Sequence, residues 1–289
     1  MNNLIKLSAW IAAGCLPFAF AQADLPTFEG FDYTNGSALI QGSGPDGAGG
    51  TGWNNRWTGS GTATIITTDD AISFTDGNGV VYGSGNSVAF SGASTQNAAS
   101  RTFASSTNTS GADIYFSFIF QVTNGSTTGV INSGSFMSVG VLDSNISVAV
   151  DNFAVITSGR VGARVNNVTE RIMDTPITYQ TTFLVVGKLS GWEDGVYKTM
   201  TVWLNPTIAD ENNTSISITA SSTTGADGYR GVIFRTYNLD ASGDVFHYDD
   251  LRMGSSWDTV VIPEPANGAL YGLLGIVLLG GVLFGRKRR

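Results

Sequence analysis

The stretch ADIYFSFIFQV, residues 112–122, puts Ile114, Phe116, Phe118, Phe120 and Val122 at every second position, with Ser117 and Gln121 among the residues between them. Side chains alternate between the two faces of an extended strand, so this pattern describes a strand with one wholly apolar face. Aromatic and β-branched residues fit a pleated, half-buried surface, and such a face must be covered by another layer. The segment TFLVVGKL, residues 182–189, is apolar on both faces from Phe183 to Val186, which predicts a strand covered on both sides. VYKTMTVWLNP follows across Ser190-Gly191-Trp192-Glu193-Asp194-Gly195, at hairpin distance, and stops at Pro206, which cannot continue a central ladder.

Further strands are predicted at Thr62 to Thr67, Ala71 to Phe74, Ser87 to Ser91, Phe136 to Leu142, Ile146 to Ile156, Arg160 to Val165, Ser215 to Ala220, Gly231 to Tyr237 and Val245 to Met253. Turn chemistry separates them, at Asp76-Gly77-Asn78-Gly79, Asn124-Gly125-Ser126, Ser158-Gly159 and Ser242-Gly243-Asp244. The chain of 289 residues holds 37 glycines, and only 13% of it is charged. That suits many short strands joined by tight turns, and no amphipathic helix or fixed-period repeat stands out. The expected fold is all-β, a two-sheet antiparallel jelly-roll sandwich in one domain over residues 24–260.

The two ends do not belong to that domain. MNNLIKLSAWIAAGCLPFAFAQADLP has one charge, Lys6, before an apolar run and small-residue sites at Ala19-Phe20-Ala21 and Ala21-Gln22-Ala23. It reads as a secretory signal peptide, residues 1–23, handed to the Sec machinery and cut after Ala21 or Ala23. Cys15, the only cysteine, lies inside this leader, so the mature chain has no disulfide, thiolate metal site or cysteine nucleophile. At the other end, residues 261–289 contain Pro263-Glu264-Pro265, an uncharged run from Ala266 to Gly285, then Arg286, Lys287, Arg288 and Arg289. As a helix the run of residues 266–285 reaches about 30 Å, one hydrocarbon core. The four basic residues stop it in the membrane with the body outside.

Formal charge is −8, and it is unevenly divided. Without Lys6, Glu264 and the four terminal basic residues, 10 basic residues remain of 15 and 22 acidic residues of 23, so the body carries −12. An acidic body argues against nucleic acid or an anionic membrane surface as its partner.

Candidate chemistry in the body is sparse. A retaining glycosidase needs two carboxylates about 5 Å apart. No Glu-x-Asp-x-x-Glu spacing occurs, and Glu193-Asp194 falls in the hairpin turn. His247 is the only histidine, between Phe246 and Tyr248, and reads as structural; a multi-histidine zinc site is excluded. The body is therefore expected not to be an enzyme, although an aspartate pair assembled by folding would make it a carbohydrate-active hydrolase. Calcium is the one candidate cofactor, through Asp240, Asp244, Asp249 and Asp250, with Asp151-Asn152 a second cluster, against the alternative of turn chemistry and solvated charge. Trp53 and Trp57 are candidates for stacking on a sugar ring, against the alternative of packing in the core.

FEGFDYTNGSALIQG and GWNNRWTG near the front, FLVVGKLSGWEDGVYKTMTVWLNP in the middle and HYDDLRMGSSWDTVV near the end resemble a concanavalin A-like, LamG-type jelly-roll domain of secreted bacterial proteins, over about residues 28 to 260. That resemblance implies that the first strand, around Phe28 to Tyr33, pairs beside the last, Phe246 to Arg252. Many such domains bind calcium through loop oxygens. VIPEPANGALYGLLGIVLLGGVLFGRKRR resembles a PEP-CTERM sorting signal, its three parts in order at the end of the chain. The resemblance implies that an exosortase recognises Pro263, Glu264 and Pro265 at the membrane boundary and cuts near them. The body then passes to the cell surface or extracellular matrix, where exopolysaccharide or another glycan is the expected partner.

Overall fold

The computed structural model describes residues 27–262, except 37, 41–49, 55, 61–63, 69, 84, 92–96, 104–111, 125–135, 143–152, 158, 167, 172–175, 227–230 and 240–242. The predicted leader, the sorting motif and the apolar run of 266–285 lie outside the described residues, among which no helix is long and apolar enough to cross a membrane.

The strands in chain order are β1 (Thr27–Glu29), β2 (Thr58–Ser60), β3 (Thr64–Thr68), β4 (Phe74–Thr75), β5 (Val81–Tyr82), β6 (Ser87–Ser91), β7 (Asn97–Thr102), β8 (Ile114–Asn124) and β9 (Phe136–Leu142). They continue with β10 (Phe153–Thr157), β11 (Arg160–Val165), β12 (Val168–Arg171), β13 (Thr182–Glu193), β14 (Val196–Leu204), β15 (Ser217–Ala226), β16 (Gly231–Tyr237) and β17 (Asp244–Gly254). A short helix, α1 (Trp257–Val261), follows.

One eight-stranded sheet runs β15-β14-β13-β8-β17-β6-β3, with β1 also pairing β17; a seven-stranded sheet runs β12-β11-β10-β9-β16-β7-β2. Every pairing is antiparallel, and the chain changes sheet repeatedly, as in a jelly roll. The two sheets face each other across a common aromatic core. Phe234 of β16 meets Phe90 of β6 at 5.5 Å and Tyr248 of β17 at 5.2 Å between ring centroids. Ile114, Phe116, Phe118, Phe120 and Val122 of β8 all point into this core, as their alternation predicts. β1 pairs β17 with Phe28 opposite Arg252, which brings the two ends of the folded body together.

The other face of the eight-stranded sheet is covered as well. Tyr115 and Ile119 of β8 and Leu184 and Val186 of β13 join Trp203, Trp257, Val260 and Val261 in a second apolar layer. The double-sided strand predicted at Phe183 to Val186 is thus buried in the core between the sheets on one face and in the second apolar layer, which includes α1, on the other.

Several boundaries depart from expectation. The hairpin between β13 and β14 is tighter than the six-residue connection predicted: Glu193 still pairs with Val196, and only Asp194 and Gly195 turn. Their φ values of 54° and 84° are the left-handed pair that a two-residue hairpin needs, and Asp-Gly supplies them. Ala71 to Ser73 are not a strand; only Phe74–Thr75 pairs, with Val81–Tyr82, around the Asp76-to-Gly79 turn. The helix α1 has no counterpart among the predicted elements, because five residues carry no helical period.

Candidate functional site

Three places concentrate polar side chains, and each rests on the strand period. The first lies between the sheets. Glu29 of β1 is fully buried and ion-paired to Arg101 of β7, itself 3% exposed. The Glu29 carboxylate also accepts the Phe31 N–H at 2.9 Å, the Tyr33 hydroxyl at 2.8 Å and Trp57 Nε1–H at 3.3 Å. Arg101 Nη1 donates in turn to the Tyr33 hydroxyl at 3.1 Å. Burial, reinforced by the Glu29 charge, pushes the Tyr33 phenol far above its usual range. With its oxygens filled by four donors, Glu29 ties the two sheets together and has the character of a brace rather than of an acid or base.

This brace locates the two tryptophans. Trp57 is buried against Phe31 and Phe234, with ring centroids 5.8 and 5.4 Å away, which is the packing alternative. Trp53 is partly buried: its ring stacks on Phe103 at 5.4 Å, the Arg101 guanidinium lies 5.3 Å from its centroid, and its Nε1–H donates to the Phe28 carbonyl at 3.0 Å. The two indoles are 6.3 Å apart and tilted by 40°, so they do not form one flat platform.

The second place runs along β17. Asp244, Asp249 and Asp250 are all buried, while Asp240, like Asp151 and Asn152, lies outside the described residues. The structure does not gather the three into one site, because five residues of strand put about 17 Å between Asp244 and Asp249. Asp244 accepts from the Tyr179 hydroxyl at 2.8 Å. Asp250 sits at a bulge where β17 gains one residue on β8, with φ of 53°. There it accepts from Arg252 Nε at 2.7 Å and from the Gly83 N–H at 3.1 Å. Among the described residues no group of three potential metal ligands comes together. Glu193, the other carboxylate singled out in the sequence, is exposed and bonded to Lys198 at 2.6 Å.

The third place is concave. A groove of about 540 Å³ opens on the outer face of the eight-stranded sheet, lined by Asp70, Ala71, Ile72, Gln121, Thr123, Gln180 and His247. Its floor follows from register. Phe246 and Tyr248 point into the core, so His247 points outward; Phe120 and Val122 point inward, so Gln121 and Thr123 point outward. His247 stands opposite Gln121, and Gln121 opposite Thr182, in one row across β17, β8 and β13. The segment of Asp70 to Ile72 forms one wall and Gln180, at φ of 57°, another.

His247 is 6% exposed, and its Nε2 shares a hydrogen bond of 3.1 Å with Thr123 Oγ1. Its buried Nδ1 has no hydrogen-bond partner among the described residues. Burial lowers the His247 pKa, against the opposing pull of the Asp70 carboxylate, and keeps the ring neutral at pH 7. An imidazole, two amides, a hydroxyl and one carboxylate offer donors and acceptors around the hollow. From the sequence His247 reads as structural; the contact that sets it beside Thr123 joins residues 124 positions apart.

No family model and no curated protein matches the sequence. Among solved structures the chain is similar to arcelin-5, a lectin-like defence protein from Phaseolus vulgaris, at 11% identity and a TM-score of 0.39, over 69% of this chain and 98% of that one. It is similar to lectin II from Ulex europaeus at 16% identity and 0.37, over 69% and 98%. It is similar to the metal-free exoplasmic/lumenal domain of VIP36 at 9% identity and 0.42, over 82% and 92%.

Proposed function

We propose that this protein is an exported, non-enzymatic β-sandwich, processed by an exosortase at its C-terminal tail and delivered to the cell surface or extracellular matrix, where it binds a neutral glycan. The observation that carries the reading is the order of parts in the tail: Pro263-Glu264-Pro265, twenty uncharged residues, then four basic ones, behind a leader that sends the body across the membrane.

The glycan part is supported by the groove over His247. Its amides, hydroxyl and neutral imidazole suit sugar hydroxyls, which both donate and accept. The body charge of −12 opposes polyanionic chains, so neutral polymers are the expected class. Asp244 and Asp250 are already engaged by Tyr179, Arg252 and Gly83, so binding is expected without calcium.

Two measurements test this. Mass spectrometry of the surface form should find a chain ending near Pro263; an intact apolar tail there refutes processing. A glycan array should show binding to neutral glycans that survives a chelator and falls at least tenfold in Gln121→Ala and His247→Ala. Binding abolished by the chelator would instead identify a calcium-dependent lectin.

A further inference from the structure

The last residues before the sorting motif are fastened to the body by three consecutive backbone carbonyls. Ser117 Oγ of β8 donates to the Val260 carbonyl at 2.7 Å. The Tyr82 hydroxyl of β5 donates to the Val261 carbonyl. Arg252 Nη1 of β17 donates to the Ile262 carbonyl at 3.1 Å, while Asp250 at the bulge holds its Nε at 2.7 Å. These carbonyls belong to the C-terminal turn of α1 and its cap, where helical carbonyls have no intrahelical N–H donors, and Pro263 has no N–H to supply one.

Apolar burial reinforces the polar contacts. Trp257, Val260 and Val261 are all at most 4% exposed, in the layer with Tyr115, Leu184 and Trp203. Trp257 Nε1–H also donates to the Ile208 carbonyl at 2.9 Å. Ile262, next in the chain, is 42% exposed.

From Ile262 to Ala266 the chain spans at most about 14 Å, so the apolar run starts close to the folded body. Enzymes that cut peptides hold an extended stretch on both sides of the bond, often by adding it as a strand. Upstream of Pro263 no extended stretch is free, since residues 257–261 are helical and docked.

Resting on the sorting reading above, we propose that this three-carbonyl clamp regulates release: the folded body shields the residues before Pro263-Glu264-Pro265, and cleavage waits on the peeling of α1. The clamp then sets the processing rate through the fraction of time that the segment is detached. Removing one hydrogen bond raises that fraction about fivefold.

The test uses the full chain in a cell that contains an exosortase, followed by pulse-chase. Tyr82→Phe and Ser117→Ala remove one donor each with little change of shape. Each should speed conversion of precursor to processed form about fivefold, and the pair more. Hydrogen exchange at the Ile262 amide, which donates to the Asp258 carbonyl at 3.1 Å, should accelerate in step. Thermal unfolding of the purified body, with the core transition kept, shows that the variants fold. Wild type and variants processed at the same rate would overturn the clamp and leave the sorting reading standing. All of them retaining an intact tail would overturn both.

Discussion

Glu29 shows how much a single residue can decide. It sits in a three-residue strand with no signal of its own, yet it meets Arg101, Tyr33, Trp57 and the Phe31 amide at zero exposure. Removing one partner of a buried ion pair leaves the other uncompensated, so Glu29→Ala should cost about 3–5 kcal/mol, read as the shift of the denaturant midpoint. A loss below about 1 kcal/mol would mean that water reaches Arg101. His247 makes the second residue-scale prediction. Its pKa is lowered in the folded body, so above the unfolded value near 6.5 neither state is protonated and the group is silent. As pH falls below 6.5 the unfolded chain takes up the proton first, and stability declines until the folded pKa is reached. Unfolding followed by tryptophan fluorescence from pH 7.5 to 5 should show that decline, and His247→Gln should flatten it.

Elements depend on residues that allow two backbones to approach. Gly187 of β13 lies opposite Phe116 of β8, and a Cβ there would enter the Phe116 ring. Gly195, in the turn of the β13–β14 hairpin, has open space around its missing Cβ but φ of 84°. Gly195→Ala should therefore cost only the left-handed strain, about 1–2 kcal/mol. Gly187→Ala carries no such strain but overpacks the core against the Phe116 ring, and should cost more than Gly195→Ala in the same denaturation experiment. Equal losses would show that Phe116 moves aside freely. The long strands β8, β13, β14 and β17 were legible because period 2 or a double-sided apolar run marks them. β2, β5, β7 and β12 were not, because Thr-Gly-Ser or Asn-Ala-Ala-Ser has no hydrophobic alternation. β7 is a strand because β16 and β2 pair with it on either side.

At the scale of the molecule, the middle of the eight-stranded sheet is buried on both faces around Tyr115, Ile119, Leu184 and Val186, and α1 is the smallest piece of the layer that covers it. Trp257 packs edge-on to Trp203 at 5.0 Å and Tyr115 at 6.5 Å. Trp257→Ala should cost about 3–5 kcal/mol and expose the second apolar layer, measured by thermal unfolding together with binding of a hydrophobic dye. A drop in stability without dye binding would mean that the layer closes over the gap. The amino-acid sequence alone determined the strand-rich class, the apolar inner face of β8, the double-sided burial of Phe183 to Val186 and the charge division between body and tail. These follow from local period and composition, which need no knowledge of partners. Only the tertiary structure decided that Trp57 is core, that Asp244 stands apart from Asp249 and Asp250, that His247 floors a groove, and that three side chains hold the carbonyls before Pro263. Each of these depends on contacts between residues far apart in the chain, and register across strands, not sequence spacing, sets which side chains meet.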